Sequence, residues 1–366
     1  MSIVNAFKNV GRMLATEARE TRRPVAALWL EVAEFCLRTR LGPRYFVVAG
    51  MARPDFPRHE RWHHISDAQF HRAVDILNPP AYRKLTQSKL AEKGLYELLE
   101  IPSPRMLAHY HPETGYAREF GALCSPEALD AWLLTQVGRR LCVKPLEGWG
   151  GRGVLAGDVE LDRNGAAMVG ILHSSERIAA RELVDRYAGN GGMSNFLVEA
   201  YLRQSVEFSR FNSSSLNSIR IWVIQQRGEV RVLGAYLRVG RAGALVDNGS
   251  AGGIMFPIDC RDGTLLPGLL KSTPHRGDII THLDSGETIA GGRLPDWDLI
   301  GDFACEALRK LPHTRFAGLD VAVSHGGEPM LIECNPVPDK DGAAHARIPS
   351  IELKRAARLQ RKESEQ

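Results

Sequence analysis

The sequence lacks any run long and apolar enough to cross a bilayer. Its most apolar early stretch, Pro24 to Gly50, is broken by Glu31, Glu34, Arg38, Arg40 and Arg44, charges that a spanning helix excludes. Met1 to Arg23 holds no apolar core and ends in charge, so no secretory leader is expected. Cysteine is sparse and scattered: Cys36, Cys124, Cys142, Cys260, Cys305 and Cys334 include no Cys-x-x-Cys pair. That excludes a disulfide framework or a zinc ribbon and points to reduced thiols in a cytoplasmic protein. A strong charge of one sign is also missing. Lys and Arg number 47 against 43 Asp and Glu, a net +4 that suits small anions such as nucleotides but is too mild to argue nucleic-acid binding. There is no internal repeat, no Gly-Lys-Ser/Thr phosphate loop and no Gly-x-Gly-x-x-Gly leading into a helix. What remains is an ordinary globular chain of 366 residues, 44% hydrophobic and 25% charged, enough for two or three packed lobes.

The first forty residues carry apolar side chains at helical spacing, with Arg12, Arg19 and Arg23 near one face and Arg22 beside them. A basic amphipathic helix suits an anionic membrane surface. Glu17 and Glu20 dilute the charge, and packing on the protein itself is the expectation. His59, His63 and His64 form a histidine-rich stretch with nothing nearby to complete a metal-ligand set, which reads as a surface loop. Helical spacing returns from Tyr82 to Leu99 and stops at Pro102 and Pro104. Strands are expected at Leu141–Lys144 and Phe196–Leu202, and as a pair, Ser218–Gln225 and Val230–Arg238, about an Arg227-Gly228 turn. Trp297 to Leu311 is an amphipathic helix with Leu299, Ile300, Phe303, Ala304, Ala307, Leu308 and Leu311 on one face. A hairpin from Phe316 to Asn335 and a polar, basic tail after Ile351 close the chain.

The hairpin carries chemistry. Gly326-Gly327 is a two-residue turn between apolar-rich runs, and folding about it sets Asp320 opposite Glu333. Asn335 lies two residues on and shares their face, while Leu319, Val321, Val323, Ile332 and Cys334 take the other. Two acids directly opposite each other weaken a hairpin by about a few tenths of a kcal/mol. A hard divalent cation reverses that sign, and carboxylate and amide oxygens suit Mg²⁺. An exposed acid pair bridged by a lysine is the alternative.

A second pattern is Val143-Lys144-Pro145-Leu146-Glu147-Gly148-Trp149-Gly150-Gly151-Arg152-Gly153. A lysine at a strand end supplies a point charge for phosphate, and glycines let backbone N–H groups approach an anion. A ligand-free flexible loop has the same composition, so the order of parts matters. Lysine and glycine loop come first, then the acid-bearing strand Phe196–Leu202, then strands bearing Arg220 and Arg238, then the acidic hairpin.

This order resembles the ATP-grasp superfamily over roughly Leu85 to Asp341, about two thirds of the chain. Ser218-Ile-Arg-Ile-Trp-Val223 followed by Asp247-Asn-Gly-Ser-Ala-Gly-Gly253 is similar to paired motifs of amino-acid ligases that extend proteins or peptides with glutamate. The overall layout resembles the sugar-transfer-associated ATP-grasp proteins of polysaccharide gene clusters. The resemblance implies an α+β fold, two α+β lobes holding ATP between them, after a helical N-terminal region. The expected divisions are 1–84 helical, 85–198 the lobe with the glycine loop, 199–350 the lobe with the metal-binding hairpin, and 351–366 a tail. It implies that Lys89 and Lys144 contact phosphates beneath Gly148, Gly150, Gly151 and Gly153. Glu199 would accept from the adenine amino group, the Leu202 backbone would meet the ring edge, and Glu207 would hold the ribose, one residue later than in D-alanine–D-alanine ligases. Arg220 would face the transferred phosphoryl group, with Arg238 as a second substrate arginine and Asn248 on the acceptor side. Asp320, Glu333 and Asn335 would bind Mg²⁺, with Mn²⁺ as a substitute. A regular hairpin about Arg227-Gly228 sets Arg238 on the face opposite Arg220, so either a bulge shifts the register or Arg238 is structural.

The implied activity is an ATP-dependent carboxylate–amine ligase acting through an acyl-phosphate on a small-molecule, peptide or glycan-precursor substrate. A phosphotransferase, and a non-catalytic nucleotide-binding protein linked to polysaccharide biosynthesis, are the alternatives. Oligomeric state is open.

Overall fold

The computed structural model describes residues 3–54, 56–148, 150–188, 194–271 and 278–364. Trp149 of the glycine-rich loop and residues 365–366 of the expected tail lie outside them. Among the described residues the chain forms two antiparallel sheets, of eight and seven strands, flanked by helices as the α+β expectation requires.

The first sheet runs, in spatial order, Gly121–Ala122, Tyr116–Ala117, Met106–Tyr110, Phe196–Ala200, Arg140–Pro145, Leu155–Leu161, Ala167–Ile171 and Arg177–Ala179. Alternation along Arg140–Pro145 buries Leu141 and Val143 against Trp132 and Leu133 of the Pro126–Leu134 helix. Cys142 and Lys144 point to the opposite face. Cys142 pairs with Glu199, which puts Glu199 on that same face. Glu199 therefore belongs to the first sheet, although the expected boundary set it at the start of the second lobe.

The second sheet runs Thr264–Leu265, Ile254–Asp259, Glu229–Val239, Ser218–Gln226, Phe316–Val323 and Pro329–Asn335, with Leu269–Leu270 pairing to Ile254–Asp259. Ser218–Gln226 is buried on both faces, which explains its nearly continuous apolar run. One face sends Ile219, Ile221 and Val223 into the largest core with Ile300, Ala304 and Leu308 of the Trp297–Lys310 helix. The other sends Trp222 and Ile224 against Phe70 of the Asp67–Leu77 helix and Leu353 of the Ile351–Ser364 helix. Those two helices cover one end of that face only. Ser218 and Arg220, at the other end, pack instead with Asp247, Arg238 and Asp320. Full burial of an aromatic or aliphatic side chain stabilises by about 1.5–3 kcal/mol, so this two-faced packing makes the strand a rigid platform.

Four sequence readings need correction. Leu299 is 52% exposed and outside the core face of its helix. The polar tail is a packed helix whose buried Leu353, Ala356 and Ala357 form an i, i+3, i+4 stripe, faint in sequence because two members are alanine. The histidine-rich loop is a 3₁₀ turn, Arg58–His63, and His64 beyond it is buried. Ile332 is not a core-face member: a register shift after Asp320 pairs Val321 with Leu331, so Leu331 takes the core position.

The N-terminal region folds as helices Ile3–Glu20, Val25–Thr39 and Pro43–Val48 around Leu14, Leu28, Phe35 and Phe46. No helix among the described residues is long and apolar enough to cross a membrane.

Buried His64 shares a hydrogen bond of 2.9 Å between its Nδ1 and the Tyr45 hydroxyl. Burial first, then the charges of His63 and Lys340, push its pKa down to about 3. The unfolded imidazole binds a proton near its ordinary value of about 6.5. Stability should therefore be lost as pH falls from there toward 3, at about 1.4 kcal/mol per unit. Urea unfolding at about pH 7.5 and about pH 5 should show a loss that His64→Gln largely removes. An equal pH slope in the variant would assign the loss to other groups.

Candidate active site

Two charge clusters carry the candidate site, one on each sheet. In the first, Lys144 Nζ lies 2.6 Å from Glu199 Oε2, and Lys93 Nζ lies 3.5 Å from Glu199 Oε1. Glu199 is 1% exposed. Burial alone would lower the Lys144 pKa, but the Glu199 charge outweighs it and holds the ammonium above the usual lysine range. Burial pushes the Lys93 pKa down despite the same partner. Glu199 has both oxygens turned to lysines. Its carboxylate thus anchors both lysines, while Oε1 is buried with no hydrogen-bond partner among the described residues.

Lys93 was not selected from the sequence. It sits on the Lys89–Leu98 helix next to Glu92, whose Oε1 accepts from the Cys334 N–H at 2.6 Å and the Tyr96 hydroxyl at 2.5 Å. Burial, then the nearby Glu333 charge, push the Glu92 carboxyl up to about 8. One helix thereby ties Glu199 of the first sheet to the hairpin of the second. The available signal was two charged residues on the helix face that also carries Tyr96, whose ring joins the second sheet's core.

In the second cluster, Arg220 donates from Nε and, at 3.0 Å, from a terminal nitrogen to the two oxygens of Asp320. Arg238 reaches Asp320 Oδ2 at 2.8 Å and donates to Ser218 Oγ. Asp247 accepts from Ser218 N–H and Oγ and lies 3.6 Å from Arg238. Burial would raise the Asp320 pKa, but Arg220 and then Arg238 hold it below the usual carboxylate range. Arg238 shares the face of Arg220 because the register shifts between Val232 and Gly234, bringing Arg238 opposite Ser218 and Tyr236 opposite Arg220. The bulge alternative is the one observed.

Asp320 pairs with Glu333 and Gly318 with Asn335, as the hairpin reading expected. Glu333 is partly exposed and has no salt-bridge partner among the described residues. Its charge acts on Lys144, Glu92 and Arg220, so it lies within electrostatic reach of both clusters. Asn335 Nδ2 is buried without a hydrogen-bond partner. Among the described residues no group of three or more His, Cys, Asp or Glu side chains is placed to hold a metal ion. A cation held by Asp320, Glu333 and Asn335 would share Asp320 with Arg220 and Arg238, which engage both of its oxygens.

The glycine-rich loop approaches Asn248 and Ser250 of the second lobe. Gly148, Gly150, Gly151 and Gly153 all have positive φ, which side-chain-bearing residues rarely adopt. A Cβ on Gly151 would lie 2.4 Å from Asn248 Nδ2, so glycine is what allows the loop of one sheet to meet Asn248 of the other. Lys89 Nζ donates to the Gly148 carbonyl at 3.1 Å. Leu202 lies past the strand end, in the partly buried connection between the sheets. Glu207 stands apart from both clusters. It is exposed at the start of the Val206–Ser209 helix, and hydrogen bonds from its own backbone N–H and the Ser205 hydroxyl keep its pKa low.

Gly318 supports the arginine platform. A Cβ there would meet Pro338 Cβ at 2.6 Å and Arg220 Cδ at 3.1 Å. Gly318→Ala should cost about 1–3 kcal/mol by overpacking, read from chemical denaturation. A neutral result would mean that the Pro336–Asp339 segment yields freely.

Residues 70–344 match the family described as sugar-transfer associated ATP-grasp. No curated protein matches the sequence. Among solved structures, the L-amino acid ligase from Bacillus licheniformis is 13% identical with a TM-score of 0.41, covering 75% of this chain and 48% of that one. The ATP-grasp ligase PsnB complexed with minimal precursor, Mg and ADP is 15% identical with a TM-score of 0.41, covering 78% and 62%. Biotin carboxylase from Campylobacter jejuni is 13% identical with a TM-score of 0.44, covering 77% and 48%. The chain thus spans about half to three fifths of the length of these proteins. Because the family match extends over three quarters of the sequence, the chain belongs to the sugar-transfer associated ATP-grasp family.

Proposed function

We propose that the protein is an ATP-dependent carboxylate–amine ligase that forms an amide through an acyl-phosphate. The observation that carries this reading is the position of Glu333, an acid without an ionic partner among the described residues, within electrostatic reach of a buried lysine cluster and a buried arginine cluster. Polyphosphate lying between those clusters would meet cations on both sides, and the acid needs a cation of its own.

The chemistry of the donor set suits Mg²⁺: Asp320, Glu333 and Asn335 offer hard oxygens, with Asp320 shared with Arg220 and Arg238. They would hold the ion, which when bound supplies neutralisation of phosphate charge. Lys144 and Lys93, kept in place by Glu199, would bind the phosphates nearer the nucleoside. Gly148–Gly153 would cover them and exclude water, with Lys89 holding the loop closed. Arg220 and Arg238 would face the transferred phosphoryl group, and Asn248 the acceptor side.

In the first step a substrate carboxylate oxygen bonds to the γ-phosphorus of ATP as the bond from that phosphorus to ADP breaks. In the second an amine nitrogen bonds to the acyl carbon, inorganic phosphate leaves with the electron pair, and the nitrogen gives up a proton. No side-chain nucleophile is needed. The acyl and amine partners are drawn from small molecules, peptides or glycan precursors.

The test is ADP and phosphate release from Mg²⁺-ATP across amino acids, peptides and amino sugars, offered singly and in pairs, with Glu333→Gln as control. Release that needs a carboxylate and an amine together, and is lost in the control, is expected. A phosphorylated product without an amide would replace the ligase with a phosphotransferase. ATP binding with no turnover in any pairing would leave a nucleotide-binding protein.

A further inference from the structure

We infer that the N-terminal helices dock this protein on an anionic membrane surface, with the Val25–Thr39 helix lying flat in the lipid interface. The family match begins only at residue 70, so this region is an addition to the nucleotide-binding body. The Val25–Thr39 helix buries Leu28, Val32 and Phe35 in the N-terminal core. Its opposite side is also apolar. Ala26, Leu30, Ala33 and Leu37 recur at helical spacing and are exposed, with Leu30 at 74% and Leu37 at 83%, the most exposed large apolar side chain among the described residues. Half-buried Trp29 borders the stripe, an amphipathic ring of the kind that favours a membrane interface. Single exposed leucines are ordinary; a stripe along one helix marks an interaction site.

Charge decides what covers it. The first fifty residues hold eight Lys or Arg against four Glu, an excess equal to the net charge of the whole chain. Glu31 and Glu34 are engaged by Arg23 and Arg38, and Glu17 is buried. Arg12, Arg19, Arg22, Arg40 and Arg44 are exposed and have no acidic partner among the described residues. Arg22 precedes the striped helix and Arg40 follows it, so both ends carry unneutralised positive charge. A second copy on the same stripe would set two such positive regions against each other. An anionic lipid surface accepts the leucines and attracts the arginines together. At fifteen residues the helix is too short to span and long enough to lie flat.

The experiment is co-sedimentation of the full chain with vesicles of phosphatidylcholine mixed with phosphatidylglycerol, and with pure phosphatidylcholine vesicles. Wild type and a Leu30→Glu, Leu37→Glu double variant are compared, with circular dichroism and light scattering on both. Binding to the anionic vesicles that weakens with salt and falls at least about ten-fold in the folded variant is expected. Three results would each overturn the inference: no vesicle binding, equal binding to both lipid mixtures, or binding unchanged in the variant. A wild-type dimer that the variant dissolves, without vesicle binding, would assign the stripe to a second copy instead.

Discussion

Asp320→Ala is expected to lower the free energy of unfolding by about 3–5 kcal/mol, the cost of removing one partner from a buried ion pair. Arg220 is buried and Arg238 partly so, and both lean on this one carboxylate. Without it Arg220 loses both of its charge-assisted hydrogen bonds. Arg238 keeps Ser218 and the more distant Asp247, 3.6 Å away. The two guanidiniums then repel each other across a region from which water is largely excluded, where Coulomb terms are strong. Urea unfolding followed by tryptophan fluorescence measures the change. Asp320→Asn, which keeps the shape and one acceptor oxygen, should lie between wild type and alanine. A loss below about 1 kcal/mol for the alanine variant would put the pair in the class of screened surface bridges and remove the platform from the argument.

Glu333→Gln, directly across the hairpin, should behave in the opposite way. Glu333 is partly exposed and without an ionic partner among the described residues, so the change should shift stability by no more than about 0.5 kcal/mol. It should nevertheless weaken Mg²⁺-dependent ADP binding by at least about 100-fold, because residues that merely orient metal ligands already cost 10–100-fold. Titration calorimetry with ADP in Mg²⁺ and in EDTA separates the two contributions. The variant should bind ADP equally well in both, while wild type gains strongly from Mg²⁺. Wild-type Mg²⁺ dependence in the variant would take Glu333 out of the metal set and with it the main support for phosphoryl chemistry. The two substitutions form a pair: one acid holds the platform together, and its neighbour leaves the fold alone and governs the ligand.

Much of the hairpin could be read in the sequence because strand alternation and a Gly-Gly turn are local facts. Even there the outcome had two parts. Pairs near the turn run Val323 to Pro329 and Val321 to Leu331, and only the irregularity at Ile332 brings Asp320 opposite Glu333. The acid pair was anticipated while the core membership of Ile332 was not. Arg238 shows the same physics. A regular hairpin sets it away from Arg220, and the bulge at Leu233 turns it back. Gly234, beside that bulge, is packed by Ile348, which a Cβ would meet at 2.7 Å. A contact from more than a hundred residues away cannot be inferred from strand periodicity.

Lys93 and Glu92 were illegible for a related reason. Charged residues on a short amphipathic helix usually face water, and nothing local says that this helix is wedged between two sheets. By itself the sequence determined several of the helices and strands, the acidic face of the hairpin, the glycine-rich loop and the resemblance to a nucleotide-binding family. These depend on side-chain period and backbone freedom within a few residues. Tertiary structure decided which lysine joins Lys144 at Glu199, which face Arg238 takes and that Glu333 acts electrostatically on both clusters. It also left one apolar stripe of the N-terminal helices uncovered. Those outcomes depend on bulges and on long-range packing, where a one-residue shift in register moves a side chain from one face of a sheet to the other.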